Sequence, residues 1–315
     1  MYHLAWMFST MGKRVVAIDL DPQANLTSAF LPENQLEILW DRDNPAGAAD
    51  TIYQCVRPLM EGTGELSAPS TRQINSCLFL LPGDLGLASF EDSLSQEWPY
   101  SLGSGTLYRP FRILTAFWQV AQLAAKQHQA HIILADVGPN LGAINRSALI
   151  SSDHVVIPVA ADLFSLQCLR NLGPTLRAWR SDWGKRVANW SIPTFDLPAG
   201  SMEPVGYIIQ QHTERFSRPI KAYVKWAARI PSVYRSSVLG VPGGNIAPES
   251  DEHCLARIKH YGSLVPMAQE ARKPIFQLTA ADGAIGSHSY AVAEALYQFN
   301  SLAKTILGRI AVPVV

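Results

Sequence analysis

The chain has 315 residues, 48% of them hydrophobic and 17% charged, and its 26 basic and 26 acidic side chains leave a formal net charge of zero. That composition supplies a sizeable core and excludes wholesale disorder, and the neutral balance gives the whole molecule no electrostatic claim on nucleic acid, so any such claim has to be local. Cys55, Cys77, Cys168 and Cys254 form no Cys-x-x-Cys pair, which argues against a disulfide framework or a zinc site, and no apolar run reaches the roughly 18 residues of a membrane span.

Leu4, Met7, Phe8 and Met11 recur at i, i+3, i+4, i+7, so residues 2–11 read as the end of an amphipathic helix capped by Gly12. Candidate strands follow at 14–19, 76–82, 131–136, 154–159, 204–210 and 274–278. Helical patterns lie between them near 21–31, 108–128, 141–151, 165–183, 221–230, 251–270 and 287–307. Short strands apolar on both faces, alternating with helices, predict an α/β fold: a mostly parallel sheet with helices on both faces. The expectation is a single domain over 1–315. Residues 33–75, rich in Pro, Gly, Asn and acids, read as an excursion, 188–203 as a Pro-rich connection and 240–250 as a turn-rich surface loop. The opening residues lack the pattern of a signal peptide, which predicts a cytoplasmic location.

Acids stand at the strand ends. Asp19 and Asp21 follow the first strand, and Asp136 ends the strand His131–Asp136. In a parallel sheet ligands sit beyond the carboxyl ends of the strands, so these three acids are expected to converge on one crevice. An acid directly after an apolar strand is how nucleoside triphosphatases hold a water-coordinated magnesium ion, and a second acid nearby can orient an attacking water.

The sequences around those acids carry a resemblance. GKRVVAIDLDPQANLTSAF, residues 12–30, and HIILADVGPNLGAINRSALISSDHVVIPVAADLFSLQCLRNL, residues 131–172, resemble the ParA/MinD-type partition ATPases, the deviant Walker group of P-loop proteins. The likeness is close over about 2–30 and 130–175 and looser over 204–212 and 265–305, while 212–262 looks like a subgroup elaboration. It implies that Asp21 positions the attacking water and that Asp19 is a neighbouring acid close to the metal. Asp136 takes the Walker B position on the Mg2+ water shell, and Gly138, Pro139 and Asn145 belong to the switch loop and the helix after it. Gln210 or Gln211 would lie near adenine. ATP and Mg2+ are the implied cofactors, and a nucleotide-bound homodimer, DNA bound without sequence preference and a ParB-like protein are the implied partners.

One departure bears on activity. The family's phosphate loop, Lys-Gly-Gly-Val-Gly-Lys-Thr, has no counterpart in these residues, and the strand leading into it would precede Met1. That loop supplies the backbone N–H cradle, the charge-neutralising lysines and the metal-ligating Thr. The expectation is therefore a ParA-like ATPase whose nucleotide state controls dimerisation and partner binding, shortened at its N-terminus and inactive as given. Its rival is a non-enzymatic, P-loop-less interaction module. A local claim on DNA comes from 215–235, where Arg215, Arg218, Lys221, Lys225 and Arg229 alternate with aromatic residues and no acid intervenes.

Overall fold

The computed structural model describes every residue except 42–48, 191–194, 213, 216, 217, 220 and 313–315, and for 211, 212, 214, 215, 218, 219, 221 and 222 it describes the backbone alone. The residues form two compact units, one made of Met1–Ser152 with Asp182–Gly200, the other of Asp153–Ser181 with the chain from Ser201 onward. Each has its own sheet.

The first unit runs α1 (Tyr2–Thr10), β1 (Val15–Asp19), α2 (Asn25–Phe30), α3 (Glu33–Trp40), α4 (Ile52–Glu61), β2 (Arg72–Asn75), β3 (Leu78–Leu81), α5 (Phe90–Tyr100), α6 (Tyr108–Leu114), α7 (Ala116–His128), β4 (Ile132–Asp136) and α8 (Ala143–Ile150). Strand order is β2-β3-β1-β4, with β1 parallel to both neighbours and β2 antiparallel at one end. All five β1 residues are buried, as expected of a central strand covered on both faces. At Gly12, with φ of +73°, the chain turns from α1 into that strand, a left-handed conformation that costs glycine least. Helix α4 starts on a reciprocal cap in which the Thr51 hydroxyl accepts from the Gln54 amide and the Gln54 side chain accepts from the Thr51 amide.

The second unit runs β5 (His154–Ala160), α9 (Leu163–Asn189, whose last turns from Asp182 count with the first unit), β6 (Glu203–His212), β7 (Glu214–Arg215), β8 (Arg218–Pro219), α10 (Lys221–Ala227), α11 (Ile230–Val233), β9 (Cys254–Lys259), α12 (Leu264–Ala271) and α13 (Ser287–Arg309). Its main sheet is β5-β6-β9, parallel throughout. Within 212–262, Ala227, Ile230, Val233, Tyr234 and Val238 share one core with Ile157, Leu166, Tyr207 and Ile209. A single π-helical turn at Tyr234–Leu239 is packed so tightly on α9 that a Cβ at Gly173 would lie 2.0 Å from the Ser237 carbonyl oxygen.

Several elements differ from the sequence reading. Residues 274–278 form a 3-10 turn at Ile275–Gln277, not a strand: Ile275 and Phe276 are buried, and Phe276 lies 5.7 Å from Phe299 of α13. The helix expected over 251–270 starts only at Leu264, since β6 recruits Cys254–Lys259 as a strand, a tertiary demand that outweighs local propensity. Helix α5 was not expected at all.

Strand-end acids and the Gly138–Gly142 loop

Because β1 and β4 are parallel and paired, their last residues, Asp19 and Asp136, are register partners at the same edge of the sheet. The pairing continues one step further, where the Leu20 amide donates to the Asp136 carbonyl oxygen at 2.8 Å. Asp19 is fully buried. Its Oδ2 accepts from the amide and hydroxyl of Thr27, at 2.8 and 2.7 Å, and its Oδ1 from the Asp21 amide at 3.3 Å. Helix α2 has Ala24 at its N-cap and so no side-chain cap of its own, and Asp19 takes up an otherwise orphaned first-turn amide from across the turn. The Thr27 hydroxyl accepts in turn from the Gly83 amide at 2.8 Å, and a Cβ at Gly83 would come within 2.9 Å of Asp19 Cγ. Only glycine fits there.

Asp21 points the other way. Its Oδ1 accepts from the Gln23 amide at 3.0 Å, an Asx turn, and lies 3.3 Å from where a Cβ would stand on Gly138. The loop after β4 thus runs directly against the Asp21 carboxylate. That loop is clamped: Asn145 Nδ2 donates to the Gly138 and Asn140 carbonyl oxygens at 2.6 and 2.5 Å, and Asn140 Oδ1 accepts from the Gly142 amide at 2.9 Å. Asn145 is buried, so its amide is spent on the loop.

Glu91 of α5, a residue the sequence reading missed, completes the clamp. Its two carboxylate oxygens accept from the Ala143 and Ile144 amides, at 2.5 and 2.8 Å, and cap α8, whose N-cap Gly142 has no side chain to offer. A signal for α5 exists in Phe90, Leu94 and Trp98 at i, i+4, i+8 behind the acidic pair Glu91-Asp92, but nothing in it says which helix Glu91 serves.

Electrostatics separate the acids. Burial pushes Asp19 up to about 6 against the pull of Thr27, and Asp136 pushes it further in the same direction. Asp136 is also raised, by burial first; the Met1 α-ammonium draws it down and Asp21 pushes it back up. Among the described residues no group of three or more His, Cys, Asp or Glu is placed to hold a metal ion directly. Mg2+ keeps most of its waters and needs only one or two carboxylates, which the partly exposed Asp136 can serve. Asp19 fits that shell poorly, because its oxygens are already bonded and shut away from water.

The remaining expected residues belong to the second unit. Gln210 pairs with Ala160 at the end of the β5–β6 register and is exposed. The side chains of Gln211, Arg215, Arg218 and Lys221 lie outside the described residues. Lys225 and Arg229 are exposed and flank Trp226, with their charged groups 5.5 and 5.0 Å from its ring centroid.

Acids closing two adjacent parallel strands, with a clamped glycine-bounded loop after the second, place the protein among α/β nucleotide-binding folds of the triphosphatase type. The family model AAA_31, described as AAA domain, matches residues 1–188, and the chain belongs to this family, that of the ParA/MinD-type P-loop ATPases. It is 30% identical to the sporulation initiation inhibitor protein Soj of Bacillus subtilis over 167 residues, 53% of this chain and 54% of Soj. The chain spans about half the length of the curated relatives it matches. Among solved structures it resembles protein DIP2308 of Corynebacterium diphtheriae, with a TM-score of 0.67, 24% identity and coverage of 98% of this chain and 93% of that one. It also resembles a single-residue variant of Cyanothece McdA in complex with ATP, with a TM-score of 0.59, 13% identity and coverage of 100% and 92%. No described helix is long and apolar enough to cross a membrane.

Proposed function

We propose that the chain is the body of a cytoplasmic ParA-type ATPase, one domain across both units, whose nucleotide state governs dimerisation and partner binding. The observation that carries this is the meeting of Asp21 with the Gly138–Gly142 loop at the edge where Asp136 ends β4. In this reading Asp21 accepts and orients the attacking water, Asp136 holds a metal-bound water, and Asn145 keeps the loop facing both. Bound Mg2+ would neutralise charge developing on the transferred phosphoryl group. Asp19 is assigned to positioning, since it ties β1 to α2 through Thr27 and is fully buried. DNA contact through Lys225, Arg229 and their neighbours, adenine contact through Gln210 or Gln211, and a ParB-like partner follow from the family resemblance.

The rival reading, a non-enzymatic interaction module, is favoured by one fact. The 315 residues contain no Gly-x-x-x-x-Gly-Lys-Ser/Thr run to cradle phosphate. Turnover assays on the 315-residue chain and on the same chain preceded by the family's strand and phosphate loop separate the two. The chain by itself is expected to give no Mg2+-dependent hydrolysis. The extended chain should hydrolyse ATP and slow by about a hundredfold with Asp21→Ala, the usual scale for a lost water-orienting base. An extended chain that neither binds nor hydrolyses ATP would leave the interaction module standing.

A further inference from the structure

Helix α5 grips α8 at two points. At the first turn of α5, Glu91 caps the Ala143 and Ile144 amides. Two turns on, on the same face, Trp98 lies between two guanidinium groups, Arg146 of α8 at 4.1 Å and Arg186 at 3.6 Å from its ring centroid. Arg186 is buried and fixed by donating to the Trp98 and Asp182 carbonyl oxygens and to Ser101 Oγ. Consecutive residues of α8 thus have separate tasks: Asn145 holds the loop, and Arg146 docks on α5. The backbone at Gly142, φ −75° and ψ −175°, suits any residue, yet a Cβ there would stand 2.6 Å from Glu91 Oε1 and 3.1 Å from Asn140 Oδ1. Glycine at 142 is needed to admit the Glu91 carboxylate.

We propose that Glu91 is a positioning residue for the site: it fixes the Gly138–Gly142 loop against Asp21 from outside the loop, through the N-terminus of α8, and Gly142 is the opening that lets it do so. Loss of the cap frees two first-turn amides and loosens the turn that carries Asn145, so the loop slackens where it meets Asp21. Its relevance to catalysis rests on the nucleotide-site reading above, whereas its relevance to loop geometry does not.

Hydrogen exchange on the 315-residue chain tests it. Glu91→Ala should speed exchange of the amides from 138 to 146 by about tenfold, as expected for a lost cap, and leave β1 and α4 unchanged. Gly142→Ala should reproduce that pattern. In the Glu91→Ala background, Gly142→Ala should add less than it does alone, because only its closer approach to Asn140 Oδ1 remains. If Glu91→Ala does not fold, Glu91→Gln, which keeps the volume and one accepting oxygen, takes its place. With 5-fluorotryptophan incorporated, the Trp98 resonance should move in the Glu91 variants while that of Trp40 stays put, which a general loss of stability would not produce. Unchanged exchange at 138–146 in both Glu91 variants, or a Gly142→Ala effect equally large with and without Glu91, would overturn the proposal. Failure of the nucleotide-site reading looks different: the unmutated protein binds no nucleotide, yet the Glu91 exchange pattern persists.

Discussion

Each unit buries carboxylates, and the two do so to opposite effect. In the first, burial holds the buried Asp19 and the partly exposed Asp136 above the ordinary carboxylate range, outweighing the pull of Thr27 on the one and of the Met1 α-ammonium on the other. In the second, Asp251 is buried too, and burial again pushes it up. There, though, the Tyr207 hydroxyl at 2.8 Å and the Arg235 guanidinium at 3.0 Å outweigh burial and hold it below its usual value. A buried acid matched by partners is a structural tie. Buried acids left short of compensation at the end of a parallel sheet cost stability, which is the signature of a place reserved for chemistry.

The largest expected effect is on the tie. Asp251→Ala should destabilise the second unit by about 3 kcal/mol, because it leaves the buried Tyr207 hydroxyl without its acceptor and Arg235 with Glu252 alone. Because the folded-state value is depressed, Asp251 contributes stability that is present above the ordinary carboxylate range and lost as pH falls through it. The cost of the substitution should therefore be full at neutral pH and shrink below about pH 4. Denaturant titration at both pH values, with hydrogen exchange at β9 and α11, checks this; a cost confined to the first unit would break the contrast.

Next comes the opposite sign at Asp19. Its folded value of about 6 lies above the ordinary 3.8, so the folded state binds the proton more tightly and stability falls as pH rises between those values. The whole swing is about 3 kcal/mol at most. Asp19→Asn abolishes that titration, so the variant's disadvantage should shrink between pH 4 and 7. A disadvantage that grows with pH would show Asp19 to be compensated like Asp251.

Thr51→Ala sets the smallest scale. It removes half of an ordinary reciprocal cap and the Thr51 hydroxyl's donation to Asp84 at 3.1 Å, away from both carboxylate sites, and should cost about 1 kcal/mol. Thermal unfolding checks this, and a cost as large as that of Asp251→Ala would mean that the effect at Asp251 reports something general.

Legibility in the sequence follows the same divide. Strands β1 and β4 were readable because four apolar residues and a closing Asp leave little else to be, and the loop after β4 was singled out through its resemblance to the family's switch loop. What α5 contributes was not readable. Glu91 serves a helix more than fifty residues away, and its own helix is largely polar. Nor could the sequence show that Thr27, eight residues on, closes over Asp19. In the second unit β9 was hidden in an apparent helix, since β6 supplies the edge that makes Cys254–Lys259 extended.

The most direct test of the contrast is equilibrium binding of ATP with and without Mg2+ to the chain preceded by the family's strand and phosphate loop, compared across Asp21→Ala, Asp136→Ala and the unmutated form. Asp136→Ala should lose the Mg2+-dependent part of the affinity, at least about tenfold, while Asp21→Ala binds as the unmutated protein does. If Asp136→Ala binds Mg·ATP unchanged, or Asp21→Ala loses as much, the strand-end acids of the first unit do not form a nucleotide site.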